Sequence, residues 1–429
     1  MSNNLFFKIY SALALLMISP FSASPDSTQA LQYLLQEALQ NNTALRAYHY
    51  AWKSAEANIS PESTLPDPVL GFNLMNLPTN TYDFDQEPMT GKQLTVMQKV
   101  PFPGKLGLKH EIAREAALVK RYEYLEFRIQ LLKQVKLIYY ELLYLNKAIA
   151  TVEKNEIVIR QLIEIAGTRY RTGKGLQQDV LRAQIELAGI KEKLITFKQQ
   201  KLALTVQFNT LLNRSPDQRP DITGSFDEPA VEFDSLGLLS QAEKQRPLLQ
   251  SSQAAMNQSA HKAKLARKAI LPDFTLGIAY TQRDVLRNGA GGVDYLSGFI
   301  SVNVPLFFWR KQNSEFQQSQ LDQAAIKQRT ESIRQELRAD LTLAISELQK
   351  NHDLLGLYKT GIINLASQAF QSALAAYEVD KTDFLTVVNN QLNLINYELK
   401  YQRILCDYHK TMAELEAIIG IELNQSNRE

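Results

Sequence analysis

The chain is written twice, and this limits its fold more than any other feature. LPDPVLGF at residues 65–72 returns as LPDFTLGI at 271–278, and QKVPFPGK at 98–105 is echoed by VNVPLFFWRK at 302–311, with Val100 and Pro101 matching Val304 and Pro305. YRTGKGLQQDVLRAQIEL, from Tyr170, lies over YEVDKTDFLTVVNNQLNL, from Tyr377, and pairs Lys174 with Lys381, Val180 with Val387, Gln184 with Gln391 and Leu187 with Leu394. Each match is short, but the order is the same in both halves. Three matches in register define a tandem repeat.

The repeat settles how the Gly-Lys pair inside GTRYRTGKGLQQDVLRAQ is read. A phosphate-binding loop follows a strand and places four residues between its first glycine and Gly-Lys-Ser/Thr. Here the upstream pattern is helical, Gly167 and Gly173 are too far apart, and Gly175 follows Lys174. The second copy reads Asp380, Lys381 and Thr382 instead, so the copies share a turn and not phosphate chemistry. Gly173 and Gly175 read as helix-ending residues that permit a left-handed backbone.

Both halves predict the same order: a helix of about 30 residues (28–60 and 234–269), two strands, a very long helix, the turn and a returning helix. In the first half the long helix carries an apolar stripe through Leu118, Tyr122, Leu125, Ile129 and Leu132, then Ile138, Leu142, Leu145, Ile149 and Val152. Val180, Ala183, Leu187, Ile190, Leu194 and Phe197 return. In the second half Leu337, Leu341, Ala344 and Leu348 lead to Leu355, Tyr358, Ile362 and Leu365, with Leu385, Val388, Leu392, Ile395 and Leu399 returning. Sustained three-four spacing means coiled-coil packing, and at about 1.5 Å per residue the long helix is a rod of roughly 90 Å.

The strands alternate. Phe274, Leu276, Ile278 and Tyr280 are interleaved with small or polar residues, as are Leu296, Ile300, Val302 and Val304, and in the first half Leu70, Phe72, Leu74, Leu94 and Val96. Strands of about ten residues with one apolar face suit a tilted bilayer crossing. A two-sided soluble sheet packed on helices alternates in the same way, and alternation alone does not name the solvent. Four strands cannot close a barrel, and an open edge in lipid leaves backbone groups unpaired, so a transmembrane reading requires several chains to pool their strands.

The N-terminus has one lysine, Lys8, then an apolar run and small residues. This is the layout of a secretory signal over 1–24. The single cysteine, Cys406, excludes an intrachain disulfide and a lipid-bearing cysteine near the cleavage point. Lys+Arg 47 against Asp+Glu 45 gives a net charge of +2, which offers nucleic acid no general attraction. His49, His110, His261, His352 and His409 show no ligand spacing, so no zinc site is expected. Met75, Met89 and Met97 read as apolar filler more than as soft Cu(I) ligands. No catalytic constellation or cofactor motif is visible, and no enzyme activity is expected.

The signal, the tandem repeat and the YxxGxxxxxDVLxAQ pattern at 170–184 together resemble the TolC family of outer-membrane efflux channels, over essentially the whole mature chain. The resemblance implies a mainly helical fold with β-structure. Long coiled-coil hairpins and four transmembrane strands per chain would assemble as a homotrimer, with a twelve-stranded barrel continued by a helical tunnel in the periplasm. It also implies a periplasmic adaptor and an inner-membrane pump of the resistance-nodulation-division type as partners. LPDPVLGFNLMNLP and MTGKQLTVMQKVPFPGKLGLK, with Pro66, Asp67, Pro101 and Pro103, look more like the heavy-metal branch than the multidrug branch.

On this reading residues 25–214 and 235–423 are the two repeats, 215–234 is an equatorial linker and 424–429 is a tail. Leu70, Phe72, Phe274, Leu276, Ile278, Ile300 and Val302 would face lipid. Gly173, Lys174 and Asp179 would form one periplasmic tip, and Asp380, Lys381, Asp383, Thr386 and Asn389 the other, as gate or adaptor contact. Thr386 and Asn389 stand where some relatives carry an acidic ring. Asp380 and Asp383 would make a negative mouth, or serve as helix-start residues. The rival reading is a secreted periplasmic adaptor or coiled-coil spacer with a soluble sheet.

Overall fold

The structure is a computed structural model. It describes residues 27–222, 224, 226 and 235–421. The expected signal, the tail and much of the linker lie outside the described residues.

Each half opens on paired helices, not on one continuous helix: α1 (Ser27–Asn41) and α2 (Thr43–Ala57) with the short α3 (Ile59–Ser63), then α6 (Ser235–Gln245) and α7 (Pro247–Lys268) in the second half. The chain breaks for local reasons. Asn42 is extended and its side-chain oxygen accepts the Leu45 N–H at 2.9 Å, which caps α2. Pro247 takes the first turn of α7, where its missing N–H costs nothing. Both breaks are pinned to the end of the returning helix in their own half. Asn42 Nδ2 donates to the Leu211 carbonyl at 3.0 Å, and Arg246 Nη1 donates to the Ile418 carbonyl at 3.2 Å.

The first long helix, α4 (Lys105–Arg171), has 67 residues, about 100 Å at the usual rise. It returns as α5 (Gln177–Leu211). The second hairpin has the same plan: α8 (Gln312–Leu357), a π-helical turn (Tyr358–Ile362), α9 (Ile363–Glu378) and the returning α10 (Phe384–Ile419). Apolar cores run down the rod. Leu34, Leu45, Val135, Tyr139, Leu142 and Phe208 fill the first half's upper core. Leu238, Leu341, Leu348, Tyr408 and Leu415 fill its counterpart in the second half. Below them both hairpins share one core of Ile159, Leu162, Ile190, Tyr377, Val387 and Ile395.

Two parts of the expected stripe differ. Leu118, Tyr122, Leu125, Ile129 and Leu132 are only half-buried, and the seam instead begins at Leu131, Val135 and Tyr139, where α4 also packs against α1 and α2. Leu365 and Leu385 are exposed. In α9 the π turn shifts the helix phase, so the buried positions after it are Ala373 and Tyr377, while α10 buries Phe384, Val387 and Val388 beside Leu385.

The four strands β1 (Val69–Met75), β2 (Gly91–Val100), β3 (Phe274–Gln282) and β4 (Tyr295–Val302) form one antiparallel sheet in that order. β2 and β3 are neighbours although a complete helical hairpin separates them in sequence. Within the chain β1 and β4 each pair on one side only.

Candidate functional site

Two regions carry the chemistry of the molecule, the sheet at one end of each long hairpin and the turns at the other. The sheet register sorts its residues into two faces. Leu70, Val96 and Ile278 lie in one cross-strand row, and Phe72, Leu94, Tyr280 and Leu296 in the next. Leu276 pairs with Ile300 and Phe274 with Val302 on the same face. The seven residues expected to face lipid therefore share one surface. Phe274 is half-buried and the other six are exposed, Leu70 and Ile300 at 70%.

The opposite face is polar. Asn73, Gln93 and Thr281 are aligned across three strands, and the Gln93 amide donates to Thr281 Oγ1 at 3.1 Å. Thr95 Oγ1 donates to the Gly71 carbonyl at 3.2 Å. Phe299 lies on this face against Gly277, where any Cβ would fall 2.1 Å from its ring. Just past β4, Phe307, Phe308 and Trp309 are exposed beside Arg310 and Lys311. That is the composition of a membrane-interface belt.

Below the sheet the two repeated motifs meet. Asp273 of LPD accepts the Phe102 N–H at 3.0 Å and the Lys105 ammonium at 2.8 Å, and Lys105 also donates to the Leu271 carbonyl at 2.7 Å. LPD of the second half thus grips PFPGK of the first. Neither motif on its own shows in the sequence that it is the other's partner.

Glu111, Glu115 and His261 also converge there, with potential ligand atoms within 4.8 Å of one another. Arg114 bridges both carboxylates at 2.9 and 3.2 Å, and Lys264, Arg267 and Lys268 line the adjoining hollow. Within α4 the Arg114 guanidinium thus already supplies positive charge to both carboxylates, and His261 of α7 lies beside them.

At the far end both hairpins turn in the same way. Lys174 N–H reaches the Arg169 carbonyl at 2.8 Å and Gly173 N–H the Tyr170 carbonyl at 3.0 Å. Lys381 repeats this to Ala376 at 2.9 Å and Asp380 to Tyr377 at 3.2 Å. These are Schellman motifs, with the left-handed residue at Gly173 (φ 72°) in one and Asp380 (φ 58°) in the other. Asp383 caps α10, accepting the Thr386 N–H at 3.0 Å. A hydrogen bond from the Thr386 hydroxyl, with this one from its N–H, holds the Asp383 carboxyl below the ordinary range. Asp179 reaches back to the Leu176 N–H at 3.4 Å. Lys174, Lys381, Thr386 and Asn389 are exposed.

The turns are tied together by Arg169, which sequence reasoning missed. Its guanidinium donates to the Tyr377 carbonyl at 2.8 Å, pairs with Asp380 and stacks over the Tyr377 ring at 4.5 Å. The only sequence signal was a basic residue in a helix's last turn, which is common. Burial raises the Tyr377 phenol, Asp179 adds to the shift and Arg169 opposes it.

The described residues hold no helix long and apolar enough to cross a membrane. Comparison with known proteins matches the family model described as "Outer membrane efflux protein" to residues 34–214 and 238–421. Two curated relatives align over about three-fifths of their own length. The "Toxin and drug export protein A" of Aggregatibacter actinomycetemcomitans is 22% identical over 62% of this chain and 59% of its own. The "Cobalt-zinc-cadmium resistance protein CzcC" of Cupriavidus metallidurans is 25% identical over 60% of each chain. Among solved structures the outer-membrane channel OprN shares the fold, with a TM-score of 0.78 at 16% identity, covering 91% of this chain and 90% of that one.

Proposed function

The chain belongs to the outer membrane efflux protein family, and from that premise we propose that it is the passive exit channel of a tripartite efflux system. Three copies pool their strands into one barrel in the outer membrane, and the hairpins continue it as a periplasmic tunnel. The observation that carries this reading is the sheet, apolar and exposed on one face, polar on the other and unpaired at both edges. In a soluble spacer that apolar face would stay in water. In a membrane, lipid covers the face, and a neighbouring copy satisfies the edges.

A periplasmic adaptor docks at the tips, and an inner-membrane pump of the resistance-nodulation-division type supplies the energy. Gly173, Lys174, Asp179, Asp380, Lys381, Asp383, Thr386 and Asn389 form the surface that meets the adaptor and gates the tunnel. Asp380 is held by Arg169 and Asp383 by its cap, so both acids build the turn as well as charging its mouth. Residues 1–24 direct export.

The cargo is a divalent heavy-metal cation. The similarity to a cobalt-zinc-cadmium resistance protein and the resemblance of the LPD and PFPGK segments to the heavy-metal branch support this, and the similarity to a toxin and drug export protein makes drug export the alternative. A strain lacking the protein should lose tolerance to cobalt, zinc or cadmium and recover it with the gene restored. Loss of drug tolerance with metal tolerance intact would assign the channel to drug export.

A further inference from the structure

The repeat provides a template for a contact that a single chain cannot make. β2 and β3 belong to different repeats, and their junction has two parts, a strand register and an ionic clasp. The register sets Val96 opposite Ile278 and Gln98 opposite Leu276. The clasp is Asp273, just before β3, holding Lys105 at the start of α4, with Lys99 3.7 Å away. The counterparts of these residues lie at the two open edges of the sheet. Leu65, Pro66 and Asp67 before β1 match Leu271, Pro272 and Asp273. Val304, Pro305 and, after a two-residue insertion, Lys311 match Val100, Pro101 and Lys105. Asp67 and Lys311 are both exposed, and among the described residues neither has an ion pair or a side-chain hydrogen bond.

We propose that β4 of one copy joins β1 of the next in the register that the repeat dictates, with Lys311 of the first clasping Asp67 of the second. Laying β4 over β2 by Val304 on Val100 puts Ile300 on Val96 and Val302 on Gln98. Laying β1 over β3 by Leu65 on Leu271 puts Phe72 on Ile278 and Leu70 on Leu276. Ile300 then faces Phe72, and Val302 faces Leu70.

Two checks agree with this register without having been used to build it. Strand direction alternates along the sheet, so β4 meets the next β1 antiparallel, as β2 meets β3. All four paired side chains also lie on the exposed apolar face, whereas a slip of one residue would set an apolar side chain against the polar face. The clasp sits just past the strand ends, where it fixes the register as Asp273 does within the chain.

This inference rests on the pooled barrel proposed above, and disulfide trapping separates its failure from that of the barrel. In full-length protein assembled in the outer membrane, Ile300→Cys is combined with Phe72→Cys or with Leu74→Cys and oxidised. Directly opposed residues approach within disulfide range, whereas diagonal neighbours two residues on are about 7–8 Å apart. The expected result is a covalent ladder ending at the trimer for Ile300 with Phe72, at least roughly tenfold more abundant than for Ile300 with Leu74. In the Ile300–Phe72 cysteine pair, adding Asp67→Lys should lower the yield of the ladder, and adding Lys311→Asp to that variant should restore it. A ladder favouring Leu74 would overturn the register while leaving the barrel intact. No ladder from any pair would overturn both.

Discussion

Arg169, in the last turn of α4, crosses to the second hairpin and pairs with Asp380, the residue that takes the left-handed position in that hairpin's turn. One side chain thus joins the two tips of a protomer. The Asp380 side chain is 66% exposed and that of Arg169 only 14%, so most of the burial cost falls on the arginine.

Arg169→Ala should therefore loosen the tip without unfolding the rod. The partly exposed ion pair is worth about 1 kcal/mol or less, and the lost hydrogen bond to the Tyr377 carbonyl adds about 1 kcal/mol, so the thermal midpoint should fall only modestly. Single-channel conductance in planar bilayers should rise, and Asp380→Asn should raise it in the same direction. Unchanged conductance in both variants would remove the pair from any gate.

Leu276→Arg should impair assembly in the outer membrane, because a cation on the apolar face of a barrel strand costs up to about 4 kcal/mol, depending on its depth. Ser301→Arg, on the polar face of the neighbouring strand, should assemble normally. The amount of protein recovered from the outer-membrane fraction measures both. Normal assembly of Leu276→Arg would show that this face does not meet lipid.

The two turns respond differently to substitution because one uses glycine and the other aspartate at positive φ. Gly173→Val should destabilise by about 1 to 2 kcal/mol, since a β-branched residue there is strained. Asp380→Gly relieves strain but loses the Arg169 pair, so the two effects oppose each other. Thermal unfolding should show a clear loss for Gly173→Val and a much smaller change for Asp380→Gly.

These elements differed in how far the sequence showed them. The repeat, the hairpins and the alternation of the strands could be read because each is periodic along the chain. The breaks at Asn42 and Pro247 were missed because the apolar pattern continues through them, although both residues are ordinary helix-start signals. Near Leu132 the buried seam of α4 departs from the periodic stripe because α1 and α2 also pack there, and periodicity does not say how many partners a helix has. The partnerships of Asp273 with Lys105 and of Arg169 with Asp380 join residues 168 and 211 positions apart. No local pattern encodes such distances. Only the repeat showed that these motifs belonged to equivalent places.

Between α4 and α10, burial alone would raise the Glu141 carboxyl, but hydrogen bonds and charge from Arg403 and Lys410 hold it below its ordinary value of 4.5. A depressed carboxylate stabilises the fold fully above its unfolded value, and the contribution is lost as pH falls through the folded one. Thermal stability should fall as pH drops below about 4.5, and Glu141→Gln should flatten that part of the profile. An unchanged acid limb in the variant would show that this cluster does not contribute to it. Beside it, burial, aided by Glu141, pushes the Cys406 thiol up to about 12. Alkylation at neutral pH should therefore label Cys406 only after unfolding, as mass spectrometry would show.

The central claim is that several copies of this chain pool their strands into one barrel. It is tested most directly by measuring the mass of the species extracted in mild detergent from the outer-membrane fraction, corrected for bound detergent. The predicted result is three chains per particle. A monomer, or protein found only in the soluble periplasm, would contradict the channel and leave a helical rod whose apolar sheet face needs another partner.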